Sequence, residues 1–134
     1  MEKPVKILSW QDIQELIEEL VPQVLCQNIQ YISGVPRGGL IPAVLLSHAC
    51  DIPFTSNTTF LQNETVLVVD DIVDSGRVMR VFSETGYKTC CLHYKESAVM
   101  KPDIYAKITD EDTWLIYPWE KLSAQKIQDY LKNS

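Results

Sequence analysis

Long basic runs are missing, and positive charge is in deficit. The 134 residues carry 12 Lys and Arg against 18 Asp and Glu, for a net charge of −6. A nucleic-acid partner needs a basic face to neutralise phosphates, so this balance argues against nucleic acid as a main partner. No stretch is long and apolar enough to span a bilayer, and no membrane association is expected. Met1-Glu2-Lys3-Pro4 has no apolar signal core, which predicts a cytoplasmic chain. Cys26, Cys50, Cys90 and Cys91 form no Cys-x-x-Cys pair, and His48 and His93 show no ligand spacing with them. Zinc is therefore not expected, and all four cysteines read as reduced, small apolar residues. Cys90 and Cys91 are adjacent in a strand pattern and should point to opposite faces.

A hydrophobic content of 46% is enough for one core, and the length predicts a single domain over residues 1–134. Its centre is Val66-Leu67-Val68-Val69-Asp70-Asp71-Ile72-Val73-Asp74-Ser75-Gly76-Arg77. Four consecutive apolar residues predict a strand buried on both faces, as in the middle of a parallel sheet. Asp70 and Asp71 follow, then Asp74, a Ser75-Gly76 turn and a helical pattern from Val78. Ligands of parallel sheets bind outside the carboxyl ends of the strands, and a turn before a helix presents N–H groups to a phosphate. Two other readings compete. The acids could simply be solvated or cap the next helix. A phosphatase-type nucleophilic aspartate would need an Asp-x-Asp spacing that this loop lacks.

Upstream, Ser9 is placed to cap a helix with an apolar stripe at Ile13, Leu16, Ile17, Leu20, Val21, Val24 and Leu25, which Pro22 should kink or split. A strand over Ile29–Ser33 leads into Gly34-Val35-Pro36-Arg37-Gly38-Gly39 and a helix from about Leu40 to Ala49. That is a second anion-binding geometry, or else an ordinary βα turn that uses glycine for its freedom. Ile52-Pro53-Phe54 reads as a short strand, and Thr55 to Glu64 as a polar turn. Downstream come a short helix over Val78, Val81 and Phe82 ending near Gly86, a strand over Thr89–Tyr94 with Lys95 at its end, and a last short helix over residues 123–133. His93 reads as a packed or solvated strand residue, and Lys95 competes with a solvated lysine. Trp114, Tyr117 and Trp119 could be core, or could offer a stacking face for a flat base.

The stretch Asp70 to Arg77 resembles the phosphoribosyl-pyrophosphate signature of type I phosphoribosyltransferases. Gly34 to Pro42 is similar to the pyrophosphate loop of the bacterial xanthine-guanine and hypoxanthine branch. The resemblance runs from about Trp10 to Glu120 and implies an α/β fold. Its parallel sheet would be flanked by helices, with a small C-terminal hood over about residues 94–120. It implies transfer of a 5-phosphoribosyl group from phosphoribosyl pyrophosphate to a 6-oxopurine, with Mg2+ as cofactor, in a dimer or tetramer. Carried over by position, Asp70, Asp71, Asp74, Ser75, Gly76, Arg77 and Val78 would hold the phosphoribosyl group. Pro36, Arg37, Gly38 and Gly39 would form the pyrophosphate loop, with the amides of Arg37, Gly38 and Gly39 turned toward the anion and a Pro36–Arg37 bond able to be cis. Lys95, Trp114 and Leu115 would read the base, Asp71 and Glu120 would attend the metal, and Asp74 would handle the purine proton.

The sequence departs from the family twice. Val78 stands where the family has Thr, removing a hydroxyl donor to the phosphate. About ten residues, Thr55–Glu64, replace the usual long lid loop. The shortened loop leaves open an alternative: a weakly active or inactive nucleotide-binding regulatory module.

Overall fold

The computed structural model describes residues 3–57 and 64–121. In order, these form β1 (Val5–Ile7), α1 (Trp10–Leu25), β2 (Tyr31–Gly34), α2 (Leu40–Cys50), β3 (Val66–Val73), α3 (Arg77–Glu84), β4 (Lys88–Tyr94), β5 (Ile104–Ile108) and β6 (Trp114–Ile116). The helix expected over residues 123–133, with Ile127, Tyr130 and Leu131 inward, lies outside the described residues. So do residues 58–63 of the expected short loop.

Four strands form a parallel sheet in the order β2-β3-β4-β5. A single parallel bridge from Phe54 to Ile32 extends it on the outer side of β2. The expected strand at Ile52–Phe54 is thus reduced to one residue. Pro53 brings a carbonyl, which accepts from Ile32 N–H at 2.9 Å, but no N–H of its own. The order Phe54, β2, β3, β4 sets the topology. From β2 the chain moves outward to Phe54 through α2, whereas from β3 it moves the other way to β4 through α3. The winding direction reverses between β2 and β3, and at such a switch point a crevice opens at the carboxyl ends of the strands.

The two directions require helices on opposite faces. One core joins α1 and α2 to Ile32, Leu67, Val69, Cys90, Leu92 and Ile104. The other joins Met79, Val78 and Phe82 of α3 to Val66, Val68, Cys91 and Tyr94. Cys90 and Cys91 therefore face opposite sides, as expected, and all four cysteines are free thiols. Burial raises the pKa of Cys50, Cys90 and Cys91 and keeps those thiols protonated. Cys26 is exposed rather than packed.

In one row of the sheet the alternation of faces breaks. Leu67 and Val69 face the first core and Val66 and Val68 the second, so a regular strand would put Val73 with Val69. Val73 instead joins Val66 and Val68, while Ile72 packs against the first core. In β4, Tyr94 likewise leaves the side of Cys90 and Leu92. The ladder pairs Asp70 with Cys91 and Ile72 with His93 but skips Asp71 and Leu92. Both strands thus slip one phase in the same row, and pairing resumes in register.

α1 buries Ile13, Leu16, Ile17, Leu20 and Val24. Leu25, expected in that stripe, is exposed at the helix end. Pro22 neither splits the element nor ends it. It lies on the exposed side, where water can satisfy the Glu18 carbonyl that Pro22 leaves without an intrahelical donor. Ser9 caps the helix reciprocally: Asp12 N–H donates to Ser9 Oγ at 3.1 Å, and Ser9 N–H donates to Asp12 Oδ2 at 2.8 Å. The hydrogen bonds from Ser9 hold the Asp12 carboxyl below its usual range. A depressed folded-state pKa adds stability above the unfolded-state value, and that stability is lost as pH falls through the folded value. Ser9→Ala should cost about 1 kcal/mol in urea unfolding at neutral pH, and titration should find the Asp12 pKa moved back up.

Residues 94–120, the expected hood, contribute strands to two sheets. β5 belongs to the main sheet, and β6 pairs in parallel with β1, from the other end of the chain. Neither partner of that second sheet is longer than three residues.

Candidate active site at the switch point

The two loops at the reversal abut. A Cβ on Gly38 would stand 2.8 Å from Asp71 Cγ and closer still to Oδ2. One on Gly39 would run into the carbonyl oxygens of Val69 and Val35 and lie 2.9 Å from Asp70 Cα. Glycine is what lets the loop after β2 lie directly on the end of β3. Within it, the Pro36–Arg37 peptide bond is cis, as the resemblance implied. Gly39 N–H donates to Val35 C=O at 2.9 Å, so that amide closes the loop rather than turning toward a ligand.

The acid pair sits inside β3 rather than after it. Asp71 is buried at 4% exposure and Asp70 is half-buried. Asp71 N–H donates to Asp70 Oδ1 at 2.8 Å, and Ile72 N–H donates to Asp71 Oδ1 at 2.7 Å, which fixes both carboxylates against the chain. The turn that follows is held from below. Val99 N–H donates to Ser75 C=O at 2.8 Å, and Gly76 takes a left-handed φ of 82° over Ala98 and Met100. Arg77 N–H points to Ser75 Oγ at 3.4 Å, at the first turn of α3. Val78 is half-buried against the second core, so the residue that replaces a hydroxyl serves packing.

Asp74 and Lys95 meet across the ends of β3 and β4, with Lys95 Nζ 3.2 Å from Asp74 Oδ1. The same ammonium donates to Glu111 C=O at 3.3 Å. Lys95 is 9% exposed, so the solvated-lysine reading does not hold. Nothing in the sequence singles out Glu111. Its carboxylate takes Ser97 Oγ–H at 2.5 Å and Ser97 N–H at 3.3 Å, tying the loop after β4 to the approach to β6. Trp114 opens β6 at 37% exposure, and Leu115 is buried.

Tyr117, which the sequence reads as a core or stacking aromatic, and His93, read as a packed or solvated strand residue, meet beside Asp71. Tyr117 is fully buried, stacked on Trp119 at 4.9 Å and 7°. Its hydroxyl donates to Asp71 C=O at 3.2 Å and lies 2.9 Å from His93 Nδ1. Burial, followed by the charges of Asp71, Cys91, Asp70 and Glu120, raises its pKa well above the usual value. Glu120 Oε1 accepts from Tyr117 N–H at 2.8 Å, which places this carboxylate beside the Tyr117 main chain. Among the described residues, no three ligating side chains converge. Magnesium, however, is ordinarily held by one or two carboxylates together with substrate phosphates, and Asp71 and Glu120 supply hard oxygens of that kind.

No family model matches the chain. A xanthine-guanine phosphoribosyltransferase of Idiomarina loihiensis is 28% identical over 137 aligned positions, covering 84% of this chain and 85% of that one. A purine phosphoribosyltransferase of Pyrococcus horikoshii superposes with a TM-score of 0.76 at 28% identity, over 92% of this chain and 99% of its own. The chain has the type I phosphoribosyltransferase fold. A xanthine-guanine-hypoxanthine phosphoribosyltransferase of Helicobacter pylori, also 28% identical, superposes at 0.67 over 96% of this chain and 97% of its own. In sequence and in fold the chain is thus similar to enzymes named purine and xanthine-guanine phosphoribosyltransferases. No helix among the described residues is long and apolar enough to cross a membrane.

Proposed function

We propose that the chain transfers a 5-phosphoribosyl group from phosphoribosyl pyrophosphate to a ring nitrogen of a 6-oxopurine. One observation carries this reading: Gly38 of one anion-type loop lies against the carboxylate of Asp71, which leads into the other. A substrate with phosphates at both ends suits two cradles joined by acids. In the reaction, the bond from ribose C1 to pyrophosphate breaks and the bond from C1 to the purine nitrogen forms. The leaving pair stays on pyrophosphate, and the nitrogen's proton passes to Asp74. Asp70 and Asp71 would hold the ribose hydroxyls. Ser75, Gly76, Arg77 and Val78 would carry the 5-phosphate, and the loop from Pro36 to Gly39 the pyrophosphate, through the Arg37 and Gly38 amides, since that of Gly39 donates to Val35 C=O. Asp71 and Glu120 would hold Mg2+, which when bound neutralises the leaving group. Positive charge developing at C1 favours this acid-lined crevice.

Lys95 would donate to the purine 6-oxygen, and its present partners support that role. The Asp74 carboxylate and the Glu111 carbonyl already hold its ammonium at the sheet edge. The Leu115 backbone and the Trp114 ring would take the base's edge and face. Trp114→Ala should weaken purine binding by about 1–3 kcal/mol, the scale of one stacked base, and leave phosphoribosyl pyrophosphate binding nearly intact. Titration of tryptophan fluorescence with each ligand checks this, and equal losses would make Trp114 a packing residue only. A cytoplasmic enzyme working as a dimer or tetramer fits the resemblance.

Pyrophosphate release, assayed with hypoxanthine, guanine and xanthine, tests the reaction. The short Thr55–Glu64 segment favours a second reading, a regulatory module that binds the same ligands. Binding without release for any base would select it.

A further inference from the structure

We infer that Glu111 is a positioning residue for the purine, acting through Lys95, and that its clasp on Ser97 sets the position. The inference rests on the proposed role of Lys95 toward the purine 6-oxygen and adds two residues that this reading does not use.

A lysine reads an oxygen well only if its ammonium is already in place. Its four-carbon stem is flexible, and ordering it at the moment of binding costs up to about 2 kcal/mol. Lys95 is ordered beforehand by the Asp74 carboxylate at 3.2 Å and by Glu111 C=O at 3.3 Å. These two contacts differ during the proposed reaction. Asp74 takes up the purine proton, and its attraction for Lys95 weakens as its charge is neutralised. The Glu111 carbonyl changes neither charge nor protonation, so it holds the ammonium throughout.

That carbonyl lies off the sheet, in the connection from β5 to β6. The ladder beside it ends where Thr109 N–H donates to Tyr94 C=O at 3.0 Å. Beyond that point the Glu111 side chain takes hold of the turn after β4. Oε1 accepts from Ser97 N–H at 3.3 Å, and Oε2 accepts from Ser97 Oγ–H at 2.5 Å. Two oxygens on two donors of one residue fix the orientation of the carboxylate. Ser97 belongs to the turn that Lys95 begins, closed by Ala98 N–H to Lys95 C=O at 3.0 Å. Glu111 therefore grips this turn twice, at Ser97 by its carboxylate and at the Lys95 ammonium by its carbonyl. Glu111 and Ser97 are both exposed, so substitutions there leave the two cores untouched.

Glu111→Ala keeps the carbonyl and releases it from Ser97. The dissociation constant of inosine monophosphate, read by titration calorimetry, should rise roughly fivefold, within the range expected for lost hydrogen bonds. The purine ribonucleotide without a 6-oxygen should bind within about twofold of wild type, because it offers Lys95 no acceptor, and so should phosphoribosyl pyrophosphate. Glu111→Gln can still accept from Ser97 N–H and can donate its amide to Ser97 Oγ, so it should restore inosine monophosphate binding to within about twofold. A tie that merely closes the surface would weaken all three ligands alike. Equal losses, no loss, or a failure of Glu111→Gln to restore binding would overturn the inference. Lys95→Ala separates this result from the reading beneath it. If that variant binds inosine monophosphate as wild type does, the assignment of Lys95 falls and the inference with it. If wild-type protein binds neither nucleotide, the reading of the site falls and takes the inference along. If Lys95→Ala weakens binding and Glu111→Ala does not, only the inference falls.

Discussion

Asp74→Asn is expected to lower turnover by about a hundredfold or more, the usual cost of removing a general acid or base, while phosphoribosyl pyrophosphate binds almost as well as before. The separation follows from where the side chain stands. The phosphate turn is held by main-chain bonds that do not involve the Asp74 carboxylate: Val99 N–H to Ser75 C=O, and Arg80 N–H to Gly76 C=O at 2.9 Å. Asn keeps the size of the side chain and leaves that turn in place. It removes the negative charge 3.2 Å from Lys95 Nζ and the acceptor for the purine proton. Lys95 would keep its Glu111 carbonyl, so the base should still be read while the proton loses its destination. Single-turnover pyrophosphate release, set beside a titration of phosphoribosyl pyrophosphate, measures the two effects separately. An unchanged rate constant would move the proton to another group.

The parts of this site that could be read in the sequence are those encoded by contiguous residues. The run Val66–Val69 announces a strand buried on both sides, and the acids and turn after it announce a ligand loop. Lys95 was placed at the right edge because β4 ends one residue earlier. What the sequence did not reveal depends on pairs distant in the chain. β1 is three exposed residues with no strand signal of their own, and it exists because β6 lies alongside it. The acids appear inside β3 rather than beyond it because Lys95 N–H reaches Val73 C=O at 3.0 Å and extends the ladder. The slipped row cannot be read from an apolar pattern, since Ile72 and Val73 are both apolar and either could face either core. Tyr117 was visible as an aromatic, but its hydroxyl acquires a partner only when the chain from β6 returns over Asp71, 46 residues away.

Gly38→Ala and Gly39→Ala should fail in opposite ways, and the contrast tests how the two loops fit together. At Gly38 the new Cβ meets a carboxylate, the Asp71 side chain, with Cγ at 2.8 Å. A side chain can swing aside, so the protein should fold with little loss. The movement breaks the hydrogen bond from Ile72 N–H to Asp71 Oδ1, however, and carries the acid off its position. Binding of phosphoribosyl pyrophosphate should then weaken by at least roughly tenfold, the penalty of about 1.4 kcal/mol that one misplaced charge-assisted contact can exceed. At Gly39 the obstacles are main chain: the Val69 and Val35 carbonyls and the Asp70 Cα. None can rotate away. The loop must lift from β3, breaking Gly39 N–H to Val35 C=O and straining the adjoining start of α2, where Ala43 N–H reaches Gly39 C=O at 3.1 Å. Overpacking of this kind costs about 1–3 kcal/mol, and the loss should appear as a lower urea midpoint before any ligand is added. Urea unfolding and pyrophosphate titration of both variants decide the matter. If Gly39→Ala is as stable as wild type, the loop has room above β3 and does not rest on it. If Gly38→Ala binds the substrate unchanged, the carboxylate of Asp71 is not held by contact with this loop. In that case the junction of the two cradles no longer supports the proposed substrate.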